Sequence, residues 1–424
     1  MPTLPMFAKK RIGSAQRCLC TLTSGLMFLS ALPLYAEPPA TPIAAQVPVK
    51  PATTPIPIPK PDDPEVKLGR DNAVEHDKQT KFINDPIQLE RVRRIGNDLA
   101  QAVNAEVIPA IWGSPQLKQF QYIFKIVDDK DVNAYCMPGG FVYVNRGLLE
   151  MVHSDDELAG VLAHEIAHAA HHHILRLLKE QAKIQNLVLP IQLLALVATF
   201  AGRGGNTAYD AANIWQATQL YAIAKTNSYG VEAEKDADHT GVFLMMKTKY
   251  NPVGLYSFMI RLAALERRKV AFKLGIFQTH PAGEERVSAA KQLLTELKVP
   301  LLLSEVDPSL QSTVTMLPAT PKGVLFAEVR SMGIPLCKVV AQGDMPAQER
   351  AKRLAKRFDQ LFDTGLSTLD IQMSRDRSRV MARGQTLLSQ VDFDSLELPV
   401  EDILRQLKEA IIEVRQKRAI EMLL

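Results

Sequence analysis

Cysteine and aromatic residues are scarce in this chain. It has 4 cysteines in 424 residues and an aromatic share of 6%. Cys18 and Cys20 fall in an apolar stretch near the N-terminus, which leaves Cys136 and Cys337 for the body of the chain. That count excludes a fold stapled by disulfides, and the two thiols, which fall in segments read below as different modules, are expected to stay unpaired. No lipobox precedes Cys18 or Cys20, which argues against a lipid anchor. Also missing is a basic stripe interleaved with aromatics. The 50 Lys and Arg are nearly balanced by 46 Asp and Glu, so nucleic acid is not expected as a partner. There is no uninterrupted apolar run of the ~20 residues that a spanning helix needs. The nearest approach, "NLVLPIQLLALVATFAG", is broken by Pro190 and Gln192. It reads as a buried helix or a surface that touches a membrane peripherally, and an integral protein with several spans is excluded.

What the N-terminus does contain is Lys9, Lys10 and Arg11 ahead of "CLCTLTSGLMFLSALPLYA", which ends at Ala36. This is the order of a secretory signal, so cleavage after residue 36 and a periplasmic or secreted location in a bacterium are expected. Residues 37–65 are rich in proline and lack aromatics, as an extended tether does. Residues 66–300 carry most of the periodic signal, residues 301–321 read as a linker, and residues 322–424 as a small α/β module of order β-α-β-β-α and unknown role. That module contains no histidine and no clustered acids, so no chemistry is expected of it. The fold class predicted for 66–300 is α+β, mainly helical, with a small β-sheet. Ile87, Leu89, Val92, Ile95 and Leu99 recur at helical spacing, "FQYIFKIVDD" reads as a strand, and "AYCMPGGFVYVNRG" as one more strand after a Pro-Gly-Gly turn.

The chemistry concentrates in "SDDELAGVLAHEIAHAAHHHILRLLKE". Ser154 and Glu157 form a capping-box pattern, from which a helix is expected to run to about Ala182. On it His164 and His168 lie about 40° and one turn apart, so both imidazoles can reach one ion. Glu165, about 100° round, can reach a water on that ion. Two neutral nitrogens, a third protein ligand and an open position suit Zn2+, one per chain. The third ligand is sought in "YGVEAEKDADHTG", where Glu234 and Asp238 are one helical turn apart: Glu234 to bind metal, Asp238 to orient a ligand imidazole. Glu232 points away from that face. His171 is expected to be half-exposed, and His172 and His173 to lie on the surface.

Four segments, "NAYCMPGGFVYVNRGLL", "DELAGVLAHEIAHAAHHH", "EKDAD" and "THPAGEER", occur in the order seen in metallopeptidase family 48 of clan MA. The sequence therefore resembles the group of HtpX and CaaX-type zinc proteases, and in particular its soluble periplasmic BepA-like members. The resemblance implies a gluzincin endopeptidase with Glu234 as third zinc ligand. It also implies substrate-backbone contacts from Asn133 and Ala134, and a His280 loop beside the metal. The strand "GGFVYVN", with Gly140 as a further substrate-binding residue, is expected to be the edge on which an extended substrate adds. His280 is open to three roles: plugging the metal, stabilising the oxyanion as a catalytic group, or capping the next helix. The expected function is hydrolysis of misfolded or envelope polypeptides by Glu-assisted attack of a zinc-held water, the alternative being a zinc-bound chaperone or adaptor. The chain departs from the family at Gly230-Val231, where many members have Ser-Arg, and the C-terminal module is not a tetratricopeptide array.

Overall fold

The computed structural model describes residues 56–60, 62–114, 118–177, 230–267, 276, 280 and 283–422. The signal segment, most of the tether and the apolar stretch around Pro190 lie outside the described residues. Among those described, no helix is long and apolar enough to cross a membrane.

Asp-Pro pairs start the first two helices. Asp63 accepts from the N–H groups of Glu65 and Val66 at the head of α1 (Pro64–Gln79), and Asp85 from Ile87 and Gln88 at the head of α2 (Pro86–Ala105). Proline at the first helical position loses no hydrogen bond there, and the preceding Asp satisfies two of the free donors. The folded part thus starts earlier than Val66: Ile56 is buried, and the Pro57 carbonyl accepts from the Gln119 N–H. Along α2, Val92, Ile95 and Leu99 are buried as expected, whereas Ile87 is 77% exposed because it sits in the first turn, beyond the core.

The first sheet has three strands, β1 (Ile123–Val127), β2 (Ala134–Met137) and β3 (Phe141–Asn145), in the order β1-β3-β2. This corrects the sequence reading twice. Gly139 and Gly140, at φ 79° and 93°, turn the chain so that "AYCMPGGFVYVN" is a hairpin of two strands. β3 then pairs with β1 on its other side, parallel, so it is the central strand and cannot accept a further one. The edge is β2, which packs against the next long helix.

After α3 (Arg146–Met151) that helix, α4 (Asp155–Ala170), begins at Ser154, whose side chain accepts from the Glu157 N–H. α4 ends at Ala170, not Ala182: His172 takes φ 55°, and helix resumes only at 173. His171, the C-cap, lies near the face of His164, and His173 turns inward after the break. α5 (Val231–Met246) and α6 (Val253–Arg267) pack on α4, and α7 (Glu284–Glu296) on α5 and α6. Gly160 lets α4 meet α6 closely, since a Cβ there would lie 2.6 Å from the Leu255 Cα.

Residues 301–321 hold more than a connection. They contain α8 (Leu303–Val306) and β4 (Thr313–Met316), which pairs with β5 (Ala327–Ser331), itself paired with β6 (Ile334–Val339). After α9 (Ala347–Asp363) comes a third sheet, of three strands rather than two, β7 (Ile371–Met373), β8 (Arg379–Ala382) and β9 (Gln385–Ser389), then α10 (Gln390–Leu396) and α11 (Val400–Met422). Cys136 is buried, Cys337 is half-buried, and both are free thiols. This region has its own apolar core, yet Met422 at the end of α11 is 1% exposed within the core of α2, α4 and α6. Arg418, on the same helix, bonds Asp363 and the Leu310 carbonyl. Truncation after residue 321 is accordingly expected to lower the Tm of the remaining protein, with Met422→Ala alone removing about 2 kcal/mol or more. Thermal unfolding followed by circular dichroism checks this; an unaltered Tm in both would show the two cores to be independent.

Candidate metal centre

α4 and α5 bring the ligands together. His164 Nε2 and His168 Nε2 are 3.0 Å apart. Glu234, from α5, places Oε2 3.4 Å from the first and Oε1 3.5 Å from the second. Donor atoms around a tetrahedral zinc with bonds of 2.0–2.1 Å stand about 3.3 Å apart, so this trio has the spacing the ion requires. His280 adds a fourth group, its Nδ1 2.9 Å from Glu234 Oε1 and 3.3 Å from His164 Nε2. All four side chains are buried, and together they form a group that could hold a metal ion. Glu232 is exposed, as its helical position implies.

Each ligand is held from behind. Asp238 Oδ1 lies 2.9 Å from His164 Nδ1, so a neutral His164 carries its proton on Nδ1 and turns a bare Nε2 toward His168 and Glu234. Arg286, on α7, donates two bonds of 2.8 Å to Asp238 and reaches Glu234 Oε2 at 2.5 Å. Burial works against charge at Glu234 and Asp238, but the Arg286 guanidinium outweighs it and holds both carboxyls below the usual range. At His164 burial opposes protonation, yet hydrogen bonds to Asp238 and Glu234 raise it to about 10, whereas burial pushes His168 down. Glu165 lies beside the ligands, its Oε1 3.5 Å from His280 Nε2, and accepts from the Cys136 backbone N–H of β2. Its carboxyl is raised, chiefly by burial.

Asn133 and Ala134 lead into β2. The Asn133 carbonyl accepts from Asn145 in the central strand, so by alternation Ala134 and Cys136 turn their backbone groups away from β3, toward the Glu165 side. Gly140 does not join them: its carbonyl accepts from Ile123 of β1, so it serves the hairpin on the opposite side of β3. His171 and His173, expected at or near the surface, are 1% and 0% exposed, and His172 is half-buried with Nδ1 2.8 Å from Glu65. Asp236 draws the first two inward, and one signal pointed to it: an acid flanked at two residues on either side by Glu234 and Asp238 on a buried helix. Arg286 was within a recognised segment, but nothing local assigned it to the two acids.

A mainly helical α+β domain with HExxH on one helix and a glutamate from another defines a metallopeptidase of the gluzincin arrangement. Residues 87–294 match Peptidase family M48, and through them the chain belongs to that family, whose members are zinc-dependent. It is similar to the beta-barrel assembly-enhancing protease of Yersinia pestis, at 25% identity over 240 residues, 56% of this chain and 45% of that protein. The Escherichia coli protein of the same name is 24% identical over 230 residues, 53% and 43% of the two chains. Mitochondrial metalloendopeptidase OMA1 of Schizosaccharomyces pombe is 27% identical over 192 residues, 45% and 51%. Each match spans about half or less of the relative's own length.

Proposed function

We propose that the whole chain is an exported zinc endopeptidase acting on misfolded or envelope polypeptides. The observation that carries this is the buried trio of His164, His168 and Glu234 at tetrahedral spacing, with Glu165 between it and the edge strand. His164, His168 and Glu234 would hold the zinc, which supplies Lewis-acid polarisation of a carbonyl and an activated water. Glu165 takes a proton from the attacking water and returns it to the leaving nitrogen. Its raised carboxyl suits both halves of that task. An extended substrate adds along β2, where Ala134 and Asn133 position its backbone. Removal of metal by a chelator from the purified chain should abolish cleavage of unfolded casein, and one equivalent of zinc should restore it. Cleavage that persists without metal would sink the reading.

His280 bears on regulation of the same site. The ring nitrogens of His280 lie close to Glu234, His164 and Glu165, which argues against the helix-capping role. Its Nδ1 stands among the ligand atoms, which favours the plug over the oxyanion role. His280→Ala is expected to raise basal proteolysis severalfold and leave zinc content nearly unchanged. A fall in kcat of about 10²-fold instead would assign it to the oxyanion.

A further inference from the structure

The two inward-turned histidines meet on one carboxylate. His171 Nδ1 is 2.5 Å and His173 Nε2 is 2.9 Å from Asp236 Oδ2. The other oxygen, Oδ1, accepts the backbone N–H groups of Ile111 and Trp112. His171 Nε2 is 3.1 Å from the Ile108 carbonyl, and His173 Nδ1 is 2.9 Å from His168 Nδ1. His171, His173 and Asp236 have the composition of a second metal site. The polar atoms are already engaged with one another: both histidines bond the one oxygen Asp236 Oδ2, and their other nitrogens lie against the Ile108 carbonyl and His168. The cluster is a proton-ordering network instead.

Its polarity follows from the end that cannot donate. The Asp236 carboxylate only accepts, so the proton of neutral His173 lies on Nε2, and His173 Nδ1 offers a lone pair. His168 must then donate to it from Nδ1, which leaves His168 Nε2 bare and aimed at the other ligands. We propose that Asp236, acting through His173, fixes His168 in the tautomer that can bind metal, as Asp238 does directly for His164. Both are positioning residues, and the inference rests on the zinc reading given above. His173 comes directly after the helix break at His172. Because Asp236 also binds the backbone of Ile111 and Trp112, the loop at 108–112 and the second ligand share one anchor.

Asp236→Asn tests this without changing shape. The amide oxygen can still accept from Ile111 and Trp112, but the NH2 now faces His173 Nε2, which must accept. The His173 proton moves to Nδ1 and confronts His168, whose own proton is driven to Nε2. In ¹⁵N-resolved ring spectra of the metal-free chain, His168 should be the Nδ1–H tautomer in the wild type and Nε2–H in the variant. The zinc Kd, from chelator competition, should rise about 10- to 100-fold. If Asp236→Asn does not fold, a second pair of variants decides. His173→Phe fills the space without an acceptor and should weaken zinc similarly. His173→Asn, whose amide oxygen can stand near the former Nδ1, should recover part of the loss. A wild type that binds zinc, with Asp236→Asn unchanged in tautomer and within twofold in Kd, overturns the relay alone. So does a His173→Phe loss that matches a fall in metal-free Tm and is not eased by asparagine. A wild type that binds no zinc overturns the metal centre and the relay with it.

Discussion

Glu165→Gln should keep its zinc and lose peptide cleavage by about 10²- to 10⁴-fold, the range over which a positioned general base acts. Glutamine preserves the volume beside His280 and can still accept from the Cys136 N–H with its amide oxygen, so the fold and the ligand trio are left intact. What it cannot do is take a proton. Burial raises the Glu165 carboxyl, which makes the wild-type group a stronger base than an exposed glutamate once ionised, and the loss correspondingly large. Metal analysis and casein cleavage on the same preparation check both halves. Full cleavage by the variant would favour another base, and full biological function without cleavage would favour the chaperone or adaptor reading. The same variant, used to trap substrates for proteomics, would name what the site holds.

Glu234→Ala should strip the metal. A zinc site worth about 10–16 kcal/mol is shared among a few ligands, so loss of one should cost at least about 10²-fold in affinity. The effect extends beyond the missing donor, because Arg286 then loses its ion pair with Glu234 at a buried position. Glu232→Ala is the paired control: its side chain is exposed, near Lys235, and it should retain full occupancy. Zinc lost from the Glu232 variant and kept by the Glu234 variant would reverse the assignment.

The candidate metal group was readable from sequence because helix geometry is local. One turn separates His164 from His168, and another separates Glu234 from Asp238, so each pair shares a face whatever the rest of the chain does. Two errors came from assuming that local pattern continues. Helical spacing carried on puts His171 about 20° from the His164 face and His173 opposite it; His171 is buried more deeply than the half-exposure expected of it, and His173 is redirected onto Asp236 after His172 takes positive φ. Strand order is not local at all. Nothing within "GGFVYVN" tells that β1, far back in sequence, occupies its free side and makes β2 the edge. β4 was missed for a different reason: it is short, its residues face solvent, and only its partner β5 defines it. Met422 carries no signal that its burial is in the other core.

The fork that Arg286 makes to Glu234 and Asp238 has a consequence for which ions the pocket tolerates. Glu165, Glu234 and Asp238 bring three carboxylates within a few ångströms, and Arg286 is the guanidinium joined to two of them. With the histidines neutral and all three acids ionised, these four charged groups sum to two negative charges at buried positions. A divalent cation cancels them. A monovalent ion would leave one buried charge uncompensated and a trivalent ion would create one, and either is expensive away from solvent. Charge neutrality, as much as donor type, therefore selects the valence of the ion. Replacing Arg286 by a neutral residue should shift that preference toward higher charge.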